Sequence, residues 1–473
     1  MSDIKQIIDS LRTLSAELIS GTVILDETII DSYRRDQSIG YIPGRPYAVM
    51  RPTSAAEVQR IMRWASMQGV SVTPRGAGSG LAAAAEPADG SIVISSELLT
   101  SIEILPELQM AAVEPGALNG DIKKEAKKFG LWYPPDPASY EFCSIGGNVA
   151  TNAGGLCCVK YGVTRSYVLG MEVVLANGSL VRLGGPRLKD AAGYQLKELF
   201  IGSEGTLGFI SKVLLRLVPH METTGTIVAV FRELDAAAQA VVGVKSSYTP
   251  SMLELMDVGA INAVEDATLM GLDRSAAAML VIQTDDEHAK DLLAGISKTL
   301  EKYSPTEMYS TMDSKEGETF IQVRRLAFQS IEKYMGAGYE ADIAVPVPRL
   351  PAFLGAINEI ARKLDVRTAT VAHAGDGNLH IAIIPPEEPT TIATRNSQLV
   401  YDAVFDHAIA CGGTITGEHG VGRLKSAWLS KMLAPEVLEL QKQVKQVFDP
   451  SNLLNPGVIF EPAEGISQGD GLA

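Results

Sequence analysis

Pro74-Arg75-Gly76-Ala77-Gly78-Ser79-Gly80-Leu81 is the stretch on which the reading of this chain turns. It follows Val70-Ser71-Val72-Thr73, which alternates like a strand, so the glycines open a loop directly off a strand end. Glycine lets backbone N–H groups approach a pyrophosphate with no Cβ in the way. Two further clusters repeat the theme: Gly146, Gly147, Gly154 and Gly155, then Gly202, Gly205 and Gly208, set among Ser, Thr and Asn. One such cluster is an ordinary turn; three in the first half of a chain point to a shared phosphate-bearing ligand. Gly78, Gly80 and Ala83 also satisfy G-x-G-x-x-A, the nicotinamide-dinucleotide fingerprint. Against that reading, the acidic residue it needs about 20 positions on is not flanked by a clean second βαβ unit.

Outward from the loop, helices and short strands alternate as far as residue 219. Ile4, Ile7, Ile8, Leu11, Leu14 and Leu18 give the first forty residues a helical period. Thr53 to Gln68 is a clearer helix, with Thr53 and Ser54 as caps, Glu57 in the first turn, and Val58, Ile61, Met62 and Ala65 on one apolar face. Strands are predicted at Ser91–Ile94, Met110–Val113, Met171–Leu175 and Ser179–Leu183, with Asn177-Gly178 as a two-residue hairpin turn between the last two. Past Pro219 the texture changes to Ala- and Leu-rich helices, such as Leu234–Ser246 and His288–Lys302, alternating with strands such as Met279–Thr284. An α+β fold follows, divided into residues 1–219, 220–420, a C-terminal helical segment 421–460 and a frayed tail 461–473.

The 473 residues carry 41 Lys plus Arg against 56 Asp plus Glu, a net charge of −15 that opposes nucleic-acid binding. Four Cys are too few for a disulfide framework, and only Cys157 and Cys158 are neighbours, without C-x-x-C spacing. A reducing compartment is the simplest reading. No signal peptide and no apolar run long enough to span a membrane is visible, so a cytoplasmic location is expected, with a peripheral membrane association as the alternative.

The second half holds Val371-Ala372-His373-Ala374-Gly375-Asp376-Gly377-Asn378-Leu379-His380. Asp376-Gly377 is the favoured centre of a type I′ turn, which would set His373 directly opposite His380 on one face of a hairpin. Together with Gly417-Glu418-His419-Gly420-Val421-Gly422, the pair offers two imidazoles and a carboxylate with positions left open, a set suited to Zn²⁺, Mn²⁺ or Fe²⁺. Two core histidines, or a surface pair, are the alternative.

Several motifs occur in a fixed order: the loop at 74–81, Pro134-Pro135-Asp136-Pro137, Ile145-Gly146-Gly147-Asn148 with Thr151-Asn152-Ala153-Gly154-Gly155, and Ile201-Gly202-Ser203-Glu204-Gly205-Thr206-Leu207-Gly208. The series resembles the FAD domain (PCMH type) of the vanillyl-alcohol-oxidase superfamily. Within it, the chain from about residue 40 to 460 is most similar to glycolate oxidase large subunits and FAD-linked D-lactate and D-2-hydroxyglutarate dehydrogenases. The resemblance implies a two-lobed FAD domain followed by an α+β substrate (cap) domain. Residues Arg75, Gly76, Ala77, Gly78, Ser79 and Gly80 would place their backbone on the pyrophosphate. Pro135, Asp136, Ser139, Ser144, Gly147, Asn148, Thr151, Asn152, Gly154 and Gly155, then Glu204, Gly208 and Ile210, would line the rest of the cofactor site, with Asn455 of Phe448-Asp449-Pro450-Ser451-Asn452-Leu453-Leu454-Asn455 near the flavin. The sequence departs from the pattern at Ala77 and at Ala82–Ala85, where Gly and Ser are usual; neither removes a donor, since the backbone does the binding. No His precedes residue 220, so a His-linked flavin from this domain is excluded, and non-covalent FAD is expected with Cys143, Cys157 and Cys158 as buried thiols.

The resemblance further implies that His373, His380 and Glu418 bind a divalent metal, Zn or Mn ahead of Fe, that His419 is the catalytic base, and that Arg324 meets the substrate carboxylate; a solvated helix face beside Arg325 is the alternative for Arg324. A Lys that meets a distal carboxylate in the 2-hydroxyglutarate branch is absent from Gly338-Tyr339-Glu340-Ala341-Asp342-Ile343-Ala344-Val345-Pro346, where Glu340 would repel a second carboxylate. A dehydrogenase of a small (D)-2-hydroxy monocarboxylate, lactate or glycolate, is therefore expected, as a homo-oligomer. Its electron acceptor (a quinone, an electron-transfer protein or a partner subunit) is open. The competing readings are a flavin-carrying subunit that needs partner chains, a D-2-hydroxyglutarate dehydrogenase, and an NAD-dependent metal alcohol dehydrogenase.

Overall fold

The structure is a computed structural model that describes residues 2–221, 224–336, 338–385 and 391–460; the expected tail 461–473 lies outside them. The chain forms two units. The first takes Met1–Ala153, Val163–His220 and the described residues from His419 on; the second takes Gly154–Gly162 and Met221–Glu418.

In the first unit the helix Ala55–Gln68 starts where its caps predict. Ser54 Oγ accepts the Glu57 N–H at 3.3 Å and Glu57 Oε2 accepts the Thr53 N–H at 2.7 Å, a reciprocal capping box, and Gly69 in the left-handed conformation ends the helix. Val58, Ile61, Met62 and Ala65 pack with Met50, Val72, Ile92 and Ile94, and Leu11, Leu14 and Leu18 of the helix Ser2–Glu17 join the same core. The sheet beneath runs Thr22–Ile24, Ala48–Arg51, Ile92–Ser95, Val72–Arg75, antiparallel at the first pairing and parallel at the other two. Helical periodicity alone hides the short strand Thr22–Ile24.

A second, five-stranded antiparallel sheet has the order Ile102–Leu105, Met110–Val113, Phe209–Arg216, Val168–Val174, Leu180–Gly184. Its last hairpin corrects the expected two-residue turn. Leu175 N–H donates to Ser179 O, so three residues, Ala176 to Gly178, make the loop. A type I′ turn needs positive φ at both central residues, and here Gly178 has it while Asn177 does not. No helix follows Gly80 before the next strand at Ile92, so the G-x-G-x-x-A match does not sit in a dinucleotide-binding βαβ unit.

The second unit is built on a seven-stranded antiparallel sheet in the order Glu307–Thr311, Gly225–Phe231, Ala278–Thr284, Met252–Asp257, Arg367–His373, Asn378–Ile384, Tyr339–Ala344. Every residue of Ala278–Thr284 is buried, as a central strand covered on both faces requires. Helices Leu234–Lys245, Ala289–Leu300 and Leu350–Leu364 bury apolar stripes in this unit.

Glu57 carries more than the cap. Its Oε1 also accepts the N–H groups of Ile19, Ser20 and Gly21, tying the turn after the first helix to the third. Burial pushes its carboxyl up, but the N–H donors of Thr53, Ser20 and Gly21 outweigh burial and bring it down to about 2 from an ordinary 4.5. Because the folded-state value is depressed, the stabilisation is complete above pH 4.5 and is lost as pH falls from there toward 2. Glu57→Gln should lower the unfolding temperature at neutral pH and flatten the acid limb of the stability curve in that window; a thermal melt series from pH 6 to pH 3 with parallel wild-type and variant curves would remove Glu57 from this role.

Candidate active site

Four neighbouring strands of the second unit turn a run of polar side chains to one face. His373 and His380 lie on the hairpin Arg367–His373 and Asn378–Ile384, and the observed register corrects the predicted one. Val371 faces His380 and His373 faces Asn378, so the loop spans four residues, Ala374 to Gly377. Gly377 has φ +85° but Asp376 is not in the left-handed region, which rules out type I′; Asp376 and Gly377 both donate N–H to His373 O. The slip is by two residues, and side chains alternate with period two, so both imidazoles keep the same face as diagonal neighbours with ring centroids 5.2 Å apart. On the outer neighbour Asp342 faces His380, and on the inner one Leu255 faces Ala372, which puts Glu254 beside His373.

The Nε2 atoms of both imidazoles converge on one oxygen. His373 Nε2 is 3.5 Å and His380 Nε2 3.2 Å from Glu418 Oε1, and the three residues offer ligand atoms within 4.8 Å of one another. Each Nδ1 is backed by a carboxylate: Glu254 Oε2 at 2.9 Å from His373 Nδ1, and Glu340 Oε1 at 3.3 Å from His380 Nδ1. A carboxylate on Nδ1 fixes the tautomer that leaves Nε2 as a lone-pair donor, the arrangement typical of metal-ligating histidine. Arg324, expected as a substrate residue or a solvated one, is buried at the end of the helix Ser314–Arg325. Its Nη2 pairs with Glu254 Oε2 at 2.7 Å, while its Nε is buried without a hydrogen-bond partner.

Four carboxylates, Glu254, Glu340, Asp342 and Glu418, thus surround one guanidinium and two imidazoles. Burial alone would hold the imidazoles neutral. Glu254 and Glu418 instead raise His373 well above the ordinary value of 6.5, and Glu340 and Glu418 raise His380 to about 9. The cluster therefore attracts positive charge, and its nitrogen and oxygen donors suit a divalent cation of the Zn or Mn class.

Sequence reasoning missed Glu254 and Asp342, whose partners lie on other strands and on a distant loop. Glu340, expected to repel a second substrate carboxylate, has its carboxylate beside His380 Nδ1. Asp342 accepts the N–H groups of Gly417 (3.0 Å) and Glu418 (3.2 Å), the Thr416 hydroxyl (2.7 Å) and Asn378 Nδ2 (2.8 Å), so Asn378 acts as a brace of this loop. Gly154, expected on the cofactor, belongs to the segment that joins the second unit, and a Cβ there would stand 2.4 Å from Glu418 Oε2. His220 edges Trp132, His407 bonds the Ala403 carbonyl and His288 is exposed at a helix start.

In the first unit the first two glycine clusters meet. A Cβ on Gly76 would stand 2.3 Å from Ser144 Oγ and 3.5 Å from Gly147 Cα, and Ser144 Oγ accepts the Ala77 N–H at 3.1 Å. Beside them opens a cleft of about 300 Å³ with Gly76, Ala77, Gly116 and Ser144 on its lining, together with Glu97 and Asp121. Its glycine-rich part fits a dinucleotide cofactor held by backbone groups. Asn119, also missed in the sequence, donates to both Pro135 O and Asn148 Oδ1 and ties two predicted cofactor segments together. Asp136 is buried, Ser139 O accepts the Cys143 N–H, Thr151 Oγ1 bonds Gly147 O, and Asn152 Oδ1 accepts the Arg165 N–H. Arg75 turns its guanidinium to the carbonyls of Arg35 and Ala85 while its own carbonyl accepts the Ser96 N–H, and Gly78 takes φ +71°. Gly208 packs on Val173, which faces Ile210. Glu204 accepts the N–H groups of Val421 and Gly422, and Asn455 Nδ2 donates to Ala84 O and Glu204 O at 2.8 Å. Cys143 and Cys157 are buried and Cys158 is half-buried, all three as thiols outside any disulfide.

Comparison with known proteins agrees with this geometry. Residues 46–184 match the FAD binding domain family and residues 220–459 match the family of the C-terminal domain of FAD linked oxidases. The chain is 38% identical over 423 residues to the glycolate oxidase subunit GlcD of Bacillus subtilis, covering 88% of this chain and 89% of that one. It is 32% identical to the D-lactate dehydrogenase of Archaeoglobus fulgidus (91% and 95% covered) and 32% identical to the D-2-hydroxyglutarate dehydrogenase of Stutzerimonas stutzeri (96% and 98% covered). The fold is that of p-cresol methylhydroxylase with substrate bound, at a TM-score of 0.79 and 15% identity over 99% of this chain and 98% of the other. The glycine cradle, the sheet architecture and these matches together establish that the chain belongs to the FAD-linked oxidases and is an FAD-dependent oxidoreductase of the PCMH-type fold.

Proposed function

We propose that this chain oxidises a (D)-2-hydroxy monocarboxylate, of the lactate or glycolate type, to the 2-oxo acid. The observation that carries the reading is the convergence of His373 Nε2 and His380 Nε2 on Glu418 Oε1, with His419 as the next residue. His419 follows Glu418 directly in the chain, and we assign it as the base. Non-covalent FAD, cradled by the backbone around Gly76 to Gly80 and by Ser144 to Asn148, supplies a two-electron acceptor for the hydride on Cα. A divalent cation held by His373, His380 and Glu418 supplies Lewis acidity that lowers the pKa of the α-hydroxyl.

The remaining work belongs to side chains. Neutral His419 takes the hydroxyl proton on a ring nitrogen, so that hydride loss leaves a carbonyl rather than an oxocarbenium ion. Arg324, with Nη2 committed to Glu254 and Nε unpaired, holds positive charge for the substrate carboxylate. Glu254 and Glu340 hold the two imidazoles in their ligating tautomers. The monocarboxylate preference now rests on local charge: Glu340 and Asp342 share the site face and no Lys occurs from Gly338 to Pro346. A second reading, a subunit that passes electrons to partner chains, is favoured by the names of the Bacillus subtilis and Escherichia coli relatives, both glycolate oxidase subunits. Among the described residues no helix is long and apolar enough to cross a membrane, so a quinone or protein acceptor would be met at the surface.

Anaerobic mixing with both enantiomers of lactate, with glycolate and with both enantiomers of 2-hydroxyglutarate should bleach the flavin fastest with D-lactate or glycolate. Faster bleaching by D-2-hydroxyglutarate would reverse the substrate assignment, and bleaching that never turns over with an artificial dye would favour the subunit reading. His419→Ala should retain flavin and metal while flavin reduction slows by about 10²–10⁴-fold; reduction at the wild-type rate would exclude His419 as the base. Glu254→Gln should weaken Mn²⁺ or Zn²⁺ binding by about 10–100-fold with every ligand in place. Metal content equal to wild type after dialysis against a weak chelator would count against the carboxylate–imidazole pair.

A further inference from the structure

The loop Thr416–Gly422 carries the two residues on which the proposed chemistry rests, and the boundary between the units falls between them, after Glu418. Each half is held by a different buried carboxylate. In the second unit Asp342 takes the Gly417 and Glu418 N–H groups and the Thr416 hydroxyl, and a Cβ on Gly417 would meet Asn378 Nδ2 at 2.0 Å. In the first unit Glu204 Oε1 accepts the Val421 N–H at 2.8 Å and Oε2 the Gly422 N–H at 2.7 Å. The glycines of this half are obligatory: Gly420 has φ +89° and a Cβ there would stand 2.9 Å from Glu204 Cδ, while one on Gly422 would stand 1.7 Å from Ala82 O. Two N–H donors side by side on one carboxylate fix a peptide more tightly than a single bond, because both its position and its tilt are set.

We propose that Asp342 and Glu204 are positioning residues for the two parts of this loop, Asp342 aiming Glu418 at the divalent cation and Glu204 holding the backbone that follows His419. The inference deepens the reading above and rests on it: Glu418 as ligand and His419 as base. It assigns separate functional signatures to two acids of which neither is a ligand. Loss of the first clamp frees the Glu418 backbone and weakens the cation site, with flavin retained. Loss of the second frees the peptide beside His419 and slows proton removal, with the cation site intact.

The test uses the full-length, flavin-loaded protein stripped of metal, with Mn²⁺ titrated in by chelator competition and flavin reduction followed anaerobically. Asp342→Asn should weaken Mn²⁺ by about 10–100-fold with flavin content unchanged. Glu204→Gln should leave Mn²⁺ affinity within about two-fold and slow flavin reduction at saturating substrate by about ten-fold or more, with little change in the substrate concentration for half-saturation. Thr416→Val, which removes one donor to Asp342 and leaves the backbone clamp, should weaken Mn²⁺ in the same direction by a smaller factor, and it serves if Asp342→Asn does not fold. Equal weakening of Mn²⁺ by the Asp342 and Glu204 variants, or none by either Asp342→Asn or Thr416→Val, overturns the proposal. Glu418→Ala separates the two levels: if it weakens Mn²⁺ while the Asp342 and Thr416 variants do not, the clamp alone fails, and if it leaves Mn²⁺ affinity unchanged, the metal reading falls and takes the clamp with it.

Discussion

Four carboxylates buried around one side of a sheet cannot stay there as bare charges, and the second unit is organised around that constraint. An ionised carboxylate taken out of water without compensation costs several kcal/mol, so each must find donors or a cation. Glu254 finds Arg324 and His373, Glu340 finds His380, Asp342 finds a row of N–H groups, and Glu418 faces two imidazoles. Glu418 is the acid on which the two Nε2 atoms converge. A donor set able to hold a divalent cation thus arises from acids and imidazoles on adjacent strands meeting one carboxylate on a loop.

Much of this was legible in local sequence. The cap at Ser54–Glu57 depends on contacts within a few residues, and the structure has its helix where they predict, whereas the glycine clusters were legible as residue types and meet only in the fold. The imidazole pair was legible for a subtler reason: the turn was misassigned, but an even slip of register preserves the face, so His373 and His380 still meet. An odd slip would have separated them.

What stayed hidden depends on partners far along the chain. Glu254 looks like an isolated acid in an apolar strand until that strand is paired with one more than a hundred residues on, and Asp342 until a loop folds back on it. Asn119 reads as an unremarkable residue at a helix start, though it joins two cofactor segments. Arg324 and Glu340 were seen, but their contacts with Glu254 and His380 were not, because a side chain's charge says what it wants and not which of several acids or imidazoles lies in reach. The motif order supplied family membership, which no single contact could.

The parallel bridge between Val72 and Leu454 has a consequence for how the chain comes to be folded. Val72–Arg75 is the last strand of its sheet; Val72 donates to Leu453 O and accepts from the Asn455 N–H. These residues leave the ribosome hundreds of positions apart, and at about 5–20 residues per second that interval lasts tens of seconds. For all that time the strand that opens the glycine loop presents an open edge, the kind of surface on which nascent chains aggregate. Its first four residues include Pro74, which has no N–H to offer an intruding strand, and the chain that finally closes the edge is the same one that brings Asn455 to the Ala84 carbonyl. The brace on the Ala84 carbonyl beyond the glycine loop thus comes from a residue 371 positions further along the chain.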